Sequence, residues 1–385
     1  QRANITLPEH EMTQEEKKRA DKKTQIMEVN KEAATYFYKL LRSTHGTTAM
    51  TYFTKRELSL ETINQFGLGY ADKYSDDLYR YLKKKGYQDD LLRDAGLVSY
   101  DEVHGGRDRF WNRVMFPIMD VNGKVIAFGG RVLGDGLPKY VNSPETEVFD
   151  KSRTMYGLYL ARKSKRPNMI LCEGYMDVIA LHQAGFDNAA ASLGTAFTLG
   201  HANLIKRYVK EVYLSYDSDG AGVKAAIRAI PILRQAGISA RVINMKPYKD
   251  PDEFMKNLGE VEYEKRMDEA EDGITFIIHQ IETKYHINDP ASKVAFLHEA
   301  EQELLLLTEG MERNIYLEAM SFEYHVQLED LQNDLIKLAG KNIIKHSDEE
   351  VLNENRPREI QTQAVKQGDR HNAKTMAENG IRHSQ

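Results

Sequence analysis

Five carboxylates lie at the ends of predicted β-strands, where acidic side chains can bind a metal ion. Glu173 ends the apolar run MILC, and Asp217 and Asp219 follow EVYLSY in the segment YDSDG. Asp250 and Asp252 follow ISARVINM in the loop KDPDEF. Because ligand sites in open α/β sheets lie beyond the carboxyl ends of the strands, we expect these five side chains to meet at one edge. An all-oxygen ligand set is typical of Mg²⁺ or Mn²⁺.

The acidic edge predicts metal-dependent phosphoryl chemistry, since two divalent ions about 4 Å apart can stabilise the attacking and leaving oxygens of a displacement. A simpler explanation for Asp217 and Asp219 is that they are residues at the start of a helix. An EF-hand is excluded because its twelfth position would be Arg228, where a bidentate Glu is required. The sequence contains neither a G-x-x-x-x-G-K-[ST] nor a G-x-G-x-x-G motif.

The region that carries these carboxylates alternates between strand and helix patterns. The apolar runs MILC, NAAASL, EVYLSY and ISARVINM predict four strands, separated by three helical stretches, two of which end at glycine. This alternation indicates βαβ units and a mostly parallel sheet. Residues 167–259 are therefore predicted to form a small α/β domain.

The flanking regions differ in pattern, and the fold class predicted for the whole chain is α/β. Residues 26–166 are mixed, with a helix from Ile26 to Leu41 and strands at RVMFPIMD and KVIAFGGRV. Residues 260–345 show apolar spacing of three to four residues, which predicts a helical bundle. Residues 1–25 and 346–385 are polar and are predicted to be linkers.

Length and composition restrict the class of protein. A chain of 385 residues that is 41% hydrophobic and 29% charged is typical of two or three globular units and excludes wholesale disorder. It contains no apolar run long enough for a transmembrane helix, so we expect no membrane partner. Its single cysteine, Cys172, excludes a disulfide framework and a cysteine-based zinc site, and indicates a reducing cytoplasm. The chain starts at Gln1 with a polar stretch, so we expect a piece of a longer protein.

The net charge of −5 conceals a basic segment beside an acidic one. Residues 105–166 carry twelve Lys and Arg against six Asp and Glu, whereas residues 251–350 carry nine against twenty-four. This asymmetry is common in enzymes that hold a polyanion, although two solvated faces would also explain it.

A phosphate-binding track is predicted within the basic segment. Arg107, Arg109 and Arg113 supply charge, and Phe110 and Trp111 between them offer stacking surfaces for bases. Two alternatives stay open. The aromatic residues would serve equally well in a core, and Arg109 would serve as the partner of a nearby aspartate.

Several motifs resemble one enzyme family. The Toprim domain of the bacterial DnaG-type primases is similar to EGYMDVIALHQAG (from Glu173), SLGTAFT (from Ser192), YDSDGAGVKAA (from Tyr216) and KDPDEF (from Lys249). The remainder of the primase catalytic core is similar to RDRFWNRVMFPIMD (from Arg107), IAFGGR (from Ile126) and PKYVNSPETEVFDKSRTMYGL (from Pro138). The resemblance covers roughly residues 30–345, with the motifs in the family's order.

The resemblance implies roles for the acidic residues by position. Glu173, Asp217 and Asp219 match the family's catalytic residues and principal Mg²⁺ ligands. Asp250 and Asp252 match its secondary acidic pair. Two or more Mg²⁺ or Mn²⁺ ions are therefore the expected cofactors.

Basic and polar positions match as well. Arg109 and Arg113 match residues that hold the single-stranded template, and Lys139, Asn142 and Lys151 match contacts to nucleotide phosphates or template. Asp177 belongs to the first Toprim motif, either beside the ligands or as a brace for the turn. Residues 26–166 are thus the expected template-binding subdomain.

The function implied is that of a DNA-directed RNA polymerase, a nucleotidyltransferase that makes short RNA primers from ribonucleoside triphosphates on single-stranded DNA. The product would be an RNA–DNA hybrid at a bacterial replication fork. Family members also carry an amino-terminal zinc module and a carboxyl-terminal domain that binds the replicative helicase, and we expect both to lie outside this chain. Two alternatives remain: a Toprim nuclease or topoisomerase, and a non-catalytic scaffold that binds DNA and recruits helicase.

Overall fold

The computed structural model of the chain describes residues 13–101 and 105–340. The described residues divide into two compact units, the first ending at Ser292 and the second beginning at Lys293. The first unit contains an antiparallel sheet and a mostly parallel sheet, which confirms the predicted mixed α/β class. Of the predicted linkers, residues 1–12 and 346–385 lie outside the described residues.

Up to residue 166, the described part of the first unit combines six α-helices with six short strands. The helices are α1 (Gln14–Leu41), α2 (Thr47–Lys55), α3 (Leu60–Gln65), α4 (Asp77–Lys84), α5 (Asp89–Asp94) and α6 (Leu158–Ala161). The strands are β1 (Gly69–Ala71), β2 (Val98–Asp101), β3 (Gly105–Asp108), β4 (Arg113–Met119), β5 (Val125–Val132) and β6 (Tyr140–Asn142). An antiparallel sheet has the order β1-β4-β5-β6, and β2 pairs with β3. The strands predicted from RVMFPIMD and KVIAFGGRV are confirmed as β4 and β5.

The first helix begins earlier than the sequence pattern predicts. Thr13 caps it, because its side chain accepts a hydrogen bond from Glu16 N at 3.2 Å while the Glu16 carboxylate accepts one from Thr13 N at 2.8 Å. The linker prediction is therefore wrong for residues 14–25, which form the first turns of α1. These turns are almost wholly exposed, so they lack the apolar spacing that marks the rest of the helix.

The rest of the first unit is built on a five-stranded sheet of order β11-β10-β9-β7-β8. Its strands are β7 (Asn168–Cys172), β8 (Ala189–Ala191), β9 (Glu211–Leu214), β10 (Ser239–Val242) and β11 (Glu271–Asp272). Its helices are α7 (Tyr175–Gln183), α8 (Leu199–Ile205), α9 (Gly220–Gln235), α10 (Pro251–Asp268) and α11 (Gly273–Glu282). The first four strands are parallel to one another, as predicted, and β11 is antiparallel.

The boundary predicted at 259/260 coincides with a break in the helical segment α10. Helix α10 continues on both sides of Gly259, whose φ of 73° marks a kink between its two halves. After α10 the chain returns to the sheet through β11, and α11 then packs against β10 and α9. The prediction that residues from 260 onward leave the α/β domain is therefore wrong up to α11. A two-residue strand carries no period in the sequence, so its pattern could not be seen.

The described part of the second unit is helical, as predicted. It contains most of α12 (Pro290–Leu305), all of α13 (Gly310–Tyr324) and a last helix, α14, over residues 328–340. Phe296 of α12 packs its ring 4.7 Å from that of Tyr324 in α13. Residues 341–345 of the predicted bundle lie outside the described residues.

A continuous hydrophobic core joins the two sheets of the first unit. The ring of Phe116 in β4 stacks on that of Tyr175 in α7 at 4.8 Å, and Tyr156 meets the same tyrosine edge-on at 4.7 Å. All three side chains are buried, so the antiparallel sheet and α7 are held in a fixed relation. Within the described part of the chain, no helix is both long and apolar enough to span a membrane.

Candidate active site

The carboxyl edge of the parallel sheet brings Glu173 and Asp217 into direct contact. Glu173 follows β7, and its Oε1 accepts a hydrogen bond from the backbone N–H of Asp217 at 3.0 Å. Burial raises the pKa of Glu173, and the negative charges of Asp217 and Asp219 raise it further. The predicted meeting of these strand ends is thus present in the structure, and their carboxylates interact through charge.

The loop after β9 holds its two aspartates in different environments. Burial raises the pKa of Asp217, whereas Lys249, with Nζ 3.4 Å from Asp217 Oδ2, lowers it. Asp219 caps α9 by accepting hydrogen bonds from Ala221 N at 2.9 Å and Gly222 N at 3.0 Å, and these bonds lower its pKa. The simpler explanation for Asp219, a residue at a helix start, is therefore part of its role.

A glycine makes this tight loop possible. A Cβ on Gly222 would lie 2.0 Å from the backbone oxygen of Asp217, so any side chain at this position would clash with the loop. The neighbouring loop closes on the same segment, since Ser218 N donates to Lys249 O at 2.7 Å. The YDSDG and KDPDEF segments thus form one connected surface.

The second acidic pair divides into two roles. Asp250 caps α10 by accepting a hydrogen bond from Glu253 N at 2.8 Å. Asp252 is buried, and its Oδ2 forms ion pairs with Arg56 Nη1 at 2.5 Å and Lys256 Nζ at 2.9 Å. The structure therefore gives Asp252 a structural pairing, and its predicted metal role stays a prediction.

Asp177 braces the turn that carries Glu173. Its Oδ2 accepts a hydrogen bond from Gly174 N at 3.1 Å at the start of α7. Burial raises its pKa to about 7, with contributions from the charges of Asp250, Asp217 and Asp252. Of the two roles left open by the sequence, the brace is the one that the geometry supports.

The chemistry of the acidic edge fits a hard divalent cation, although the side chains are not gathered around one. Within residues 13–101 and 105–340, no three His, Cys, Asp or Glu side chains are grouped closely enough to hold a metal ion. The candidate metal ligands at this edge are nonetheless all carboxylate oxygens. Neighbouring carboxylates help to raise the pKa of both Glu173 and Asp217, so a cation would be stabilised there. A rotation of exposed side chains would be needed to bring the ligands together.

The two arginines predicted to hold the template differ in exposure. Arg109 is exposed, and its Nε and Nη2 donate to Asn142 O at 3.1 and 2.9 Å. Arg113 is buried, and its Nη1 lies within 3.3 Å of the carbonyl oxygens of Gly130, Pro138 and Lys139. Arg113 therefore holds the loop before β6 through its carbonyl oxygens. Burial lowers the pKa of the Arg113 guanidinium.

Asn142 is a junction within the first unit. Its Oδ1 accepts a hydrogen bond from the Tyr175 hydroxyl at 2.7 Å, and its Nδ2 donates to Leu193 O at 2.9 Å. Lys139 is exposed in the loop that Arg113 supports. Lys151 is half-buried, and its carbonyl oxygen accepts a hydrogen bond from the ring of His201 at 2.7 Å. Lys139 thus lies just before β6 and Asn142 at its end, whereas Lys151 lies in a short 3-10 helix beside α8, and their predicted contacts to nucleotide or template stay predictions.

The aromatic residues of the basic segment separate into core and surface. Phe110 is buried, with its ring 6.2 Å from that of Phe128. Trp111 is 40% exposed, and the guanidinium carbon of Arg107 lies 5.8 Å from its ring centroid. Of the two, Trp111 alone offers a stacking surface, so the core alternative holds for Phe110.

A further arginine of interest, Arg131, was not predicted from the sequence, although it stands in the motif IAFGGR. Arg131 in β5 lies over the ring of Tyr52 at 4.7 Å and near that of Tyr140 at 5.8 Å. Its Nε and Nη1 are buried without a hydrogen-bond partner among the described residues. Burying two donors without hydrogen-bond partners costs free energy.

Two family models match the chain in sequence order. The DNA primase catalytic core, N-terminal domain, matches residues 36–162, and the Toprim-like model matches residues 170–255. The first therefore covers the antiparallel sheet and the helices from the end of α1 to α6, and the second runs from within β7 to the start of α10.

Similar proteins and structures cover most of the chain. The DNA primase of Clostridium acetobutylicum is 37% identical over 348 residues, which are 89% of this chain and 58% of that protein. The DNA primase of Listeria monocytogenes is 34% identical over 341 residues, 86% of this chain and 54% of that protein. The chain thus spans little more than half the length of these relatives. A solved DnaG primase catalytic domain bound to single-stranded DNA is 32% identical with a TM-score of 0.71, covering 81% of this chain and 99% of that one.

Proposed function

Because the chain belongs to the bacterial DnaG-type DNA primase family, with its catalytic core and Toprim domain, we propose that it synthesises RNA primers on single-stranded DNA. The substrates are ribonucleoside triphosphates, the product is an RNA–DNA hybrid, and pyrophosphate leaves. The reaction takes place at the replication fork in the bacterial cytoplasm, where the longer protein would bind the replicative helicase through another domain.

One observation carries the proposal: the two acidic loops are joined at the carboxyl edge of the parallel sheet. Glu173 receives the Asp217 N–H, and Ser218 N donates to Lys249 O. These contacts hold the residues that match the family's catalytic positions at one place, where ligands of α/β sheets bind. Toprim primases generally use divalent metal ions, which agrees with this all-oxygen edge.

Glu173, Asp217 and Asp219 would hold two divalent ions, with Asp250 beside them. When bound, such ions lower the cost of deprotonating the primer 3′-hydroxyl and neutralise charge on the α-phosphate and the leaving pyrophosphate. The chain's own residues prepare this site. Asp219 is ionised at neutral pH, since its backbone hydrogen bonds lower its pKa. Lys249 offsets part of the repulsion at Asp217.

Template and nucleotide would bind along the β6 side of the first unit. Lys139 and Lys151 supply positive charge for phosphates, and Trp111 supplies a face for stacking. Arg113 holds the loop that carries Lys139, and Arg109 holds the main chain of Asn142. In this proposal Arg113 acts on the template through the loop that it supports.

A gel assay tests the proposal. A labelled RNA primer, annealed to single-stranded DNA that carries a second label, is incubated at low salt with ribonucleotides and Mn²⁺ or Mg²⁺. Metal-dependent extension that is lost in Asp219→Ala would support primer synthesis. A shortened template would instead support a Toprim nuclease, and DNA binding without turnover under either metal would support the scaffold.

A further inference from the structure

Tyr175 occupies a fixed position between the Toprim sheet and the antiparallel sheet. It begins α7 two residues after Glu173, and its side chain is 7% exposed. Its ring stacks on Phe116 at 4.8 Å with an interplanar angle of 14°, and it meets Tyr156 edge-on at 4.7 Å. Because these two rings fix the orientation of the Tyr175 ring, they also fix the direction in which its hydroxyl points.

That hydroxyl and the carbonyl oxygen of Leu193 together hold the side-chain amide of Asn142 in one orientation. The hydroxyl donates to Asn142 Oδ1 at 2.7 Å, while Asn142 Nδ2 donates to Leu193 O at 2.9 Å. Flipping the amide would place its nitrogen against the phenol and its oxygen against the Leu193 carbonyl, where two acceptors would face each other. Since Arg109 also holds the Asn142 backbone oxygen, the remaining Nδ2 hydrogen of Asn142 has a defined direction.

The strand beside Asn142 is shaped to admit the hydroxyl. Gly129 in β5 pairs with Asn142 in β6, and a Cβ on Gly129 would lie 2.3 Å from the Tyr175 hydroxyl oxygen. Any side chain at residue 129 would therefore displace Tyr175. The first glycine of the motif IAFGGR thus has a physical reason: it leaves room for the tyrosine of the motif EGYMD.

We propose that Tyr175 is a positioning residue for the incoming nucleotide, because its hydroxyl fixes the side-chain amide of Asn142 and joins it to the loop that carries Glu173. This inference rests on the proposed function and on the role that the family resemblance implies for Asn142, a contact to nucleotide phosphates or template. Asn142, the proposed nucleotide contact, and Glu173, the proposed metal ligand, are then held in a fixed position relative to each other. Asn142 reaches Glu173 through a single side chain and two peptide bonds.

The variant Tyr175→Phe removes the hydroxyl and keeps the ring. One neutral hydrogen bond is worth about 1 kcal/mol, so we expect the KM for ribonucleotides to rise about fivefold. The kcat is expected to stay within about twofold, with unchanged half-saturating Mn²⁺, since the carboxylates are untouched. Tyr156→Phe is the matched control. Its hydroxyl is buried in the same cluster and has no hydrogen-bond partner in the described part of the chain, so its KM should equal that of the wild type.

A double-mutant cycle separates positioning from packing. If Tyr175 acts through Asn142, Tyr175→Phe has no further effect on KM in an Asn142→Ala background. Additive effects, or a lower Tm for Tyr175→Phe with wild-type KM, would overturn the inference and leave a packing role. A wild-type chain that neither extends a primer nor binds a fluorescent ribonucleotide with Mn²⁺ would contradict the proposed function itself. Wild-type extension with an unchanged Tyr175→Phe KM contradicts this inference alone.

Discussion

The ammonium nitrogen of Lys249 lies 3.4 Å from Asp217 Oδ2, and the carbonyl oxygen of the same lysine accepts a hydrogen bond from Ser218 N at 2.7 Å. Lys249 of the KDPDEF loop thus holds the YDSDG loop through a main-chain hydrogen bond. Its side chain offsets the negative charge of Asp217. The charge of Asp217 in turn raises the pKa of Lys249. A protein cation therefore lies where the proposal places metal ions.

Removing this cation should strengthen metal binding. In Lys249→Met, we expect the half-saturating Mn²⁺ concentration for primer extension at pH 8 to fall about two- to fivefold, in line with a largely exposed ion pair. A titration of extension rate against Mn²⁺ measures it. Lys246→Met is the control, because Lys246 is exposed in the same segment and forms no ion pair within the described residues. An unchanged or weaker Mn²⁺ response in Lys249→Met would show that the lysine does not compete.

Asp219→Asn should separate catalysis from folding. Asparagine caps helices about as well as aspartate, so α9 should keep its start, whereas alanine would cost about 1 kcal/mol. We expect extension to fall at least about 100-fold while Tm stays within a degree or two, because a neutral amide is a poor ligand for a hard cation. Rates and thermal melts on the same preparation check both. Wild-type activity in Asp219→Asn would remove Asp219 from the proposed ligand set.

Asp252 should matter more for stability than for metal binding. Asp252→Asn would leave Arg56 and Lys256 without their buried carboxylate, and we expect the free energy of unfolding to fall by about 2 kcal/mol. Urea denaturation measures it, with Asp250→Asn as the control that keeps a helix cap. If Asp252→Asn instead kept its stability and raised the half-saturating Mn²⁺ concentration, the predicted metal role would be favoured.

Lys139 should contribute to the salt dependence of template binding. Each phosphate neutralised on a single strand adds about 0.7 to the slope of log K against log salt. We therefore expect Lys139→Met to lower the magnitude of that slope by about 0.7, measured by anisotropy of labelled single-stranded DNA. Lys124→Met, an exposed lysine at the far end of the β4–β5 hairpin, should leave the slope unchanged. Equal slopes for wild type and Lys139→Met would contradict a phosphate contact.

The second unit should lose stability as the pH rises. Burial raises the pKa of Glu301 in α12 to about 8, and the charge of Asp334 contributes. An acid whose pKa is higher when folded stabilises the fold below its ordinary pKa near 4.5, and this contribution is lost as the pH rises through about 8. We expect the protection of α12 and α13 amides from hydrogen exchange to fall by on the order of 2 kcal/mol between pH 5 and pH 9.

Glu301→Gln provides the matched comparison for this pH effect. Glutamine has the same shape and cannot ionise, so the variant should keep its protection at pH 9. A wild type and a Glu301→Gln variant that lose protection in parallel would show that another group causes the change.

The parallel sheet was predictable because its strands are short apolar runs that alternate with helical stretches, as MILC, ended by Glu173, precedes the helical stretch up to Ala184. The roles of Arg113 and Asp252 were not, since their partners come from elsewhere in the chain. Arg56, for example, stands 196 residues from Asp252. Whether a charged residue is buried depends on such distant contacts, and these contacts produce no periodic pattern in the local sequence. The start of α1 was missed for the opposite reason, because its exposed turns contain no apolar signal at all.

The one thiol of the chain has a practical consequence. Cys172 is the only cysteine in the sequence, it is 1% exposed at the end of β7, and burial raises its pKa well above the ordinary value. Thiol-reactive dyes need an accessible thiolate, so the native chain should stay unlabelled. A cysteine introduced at an exposed position such as Lys124 would then carry a fluorophore at a single site, with no need to replace Cys172 first.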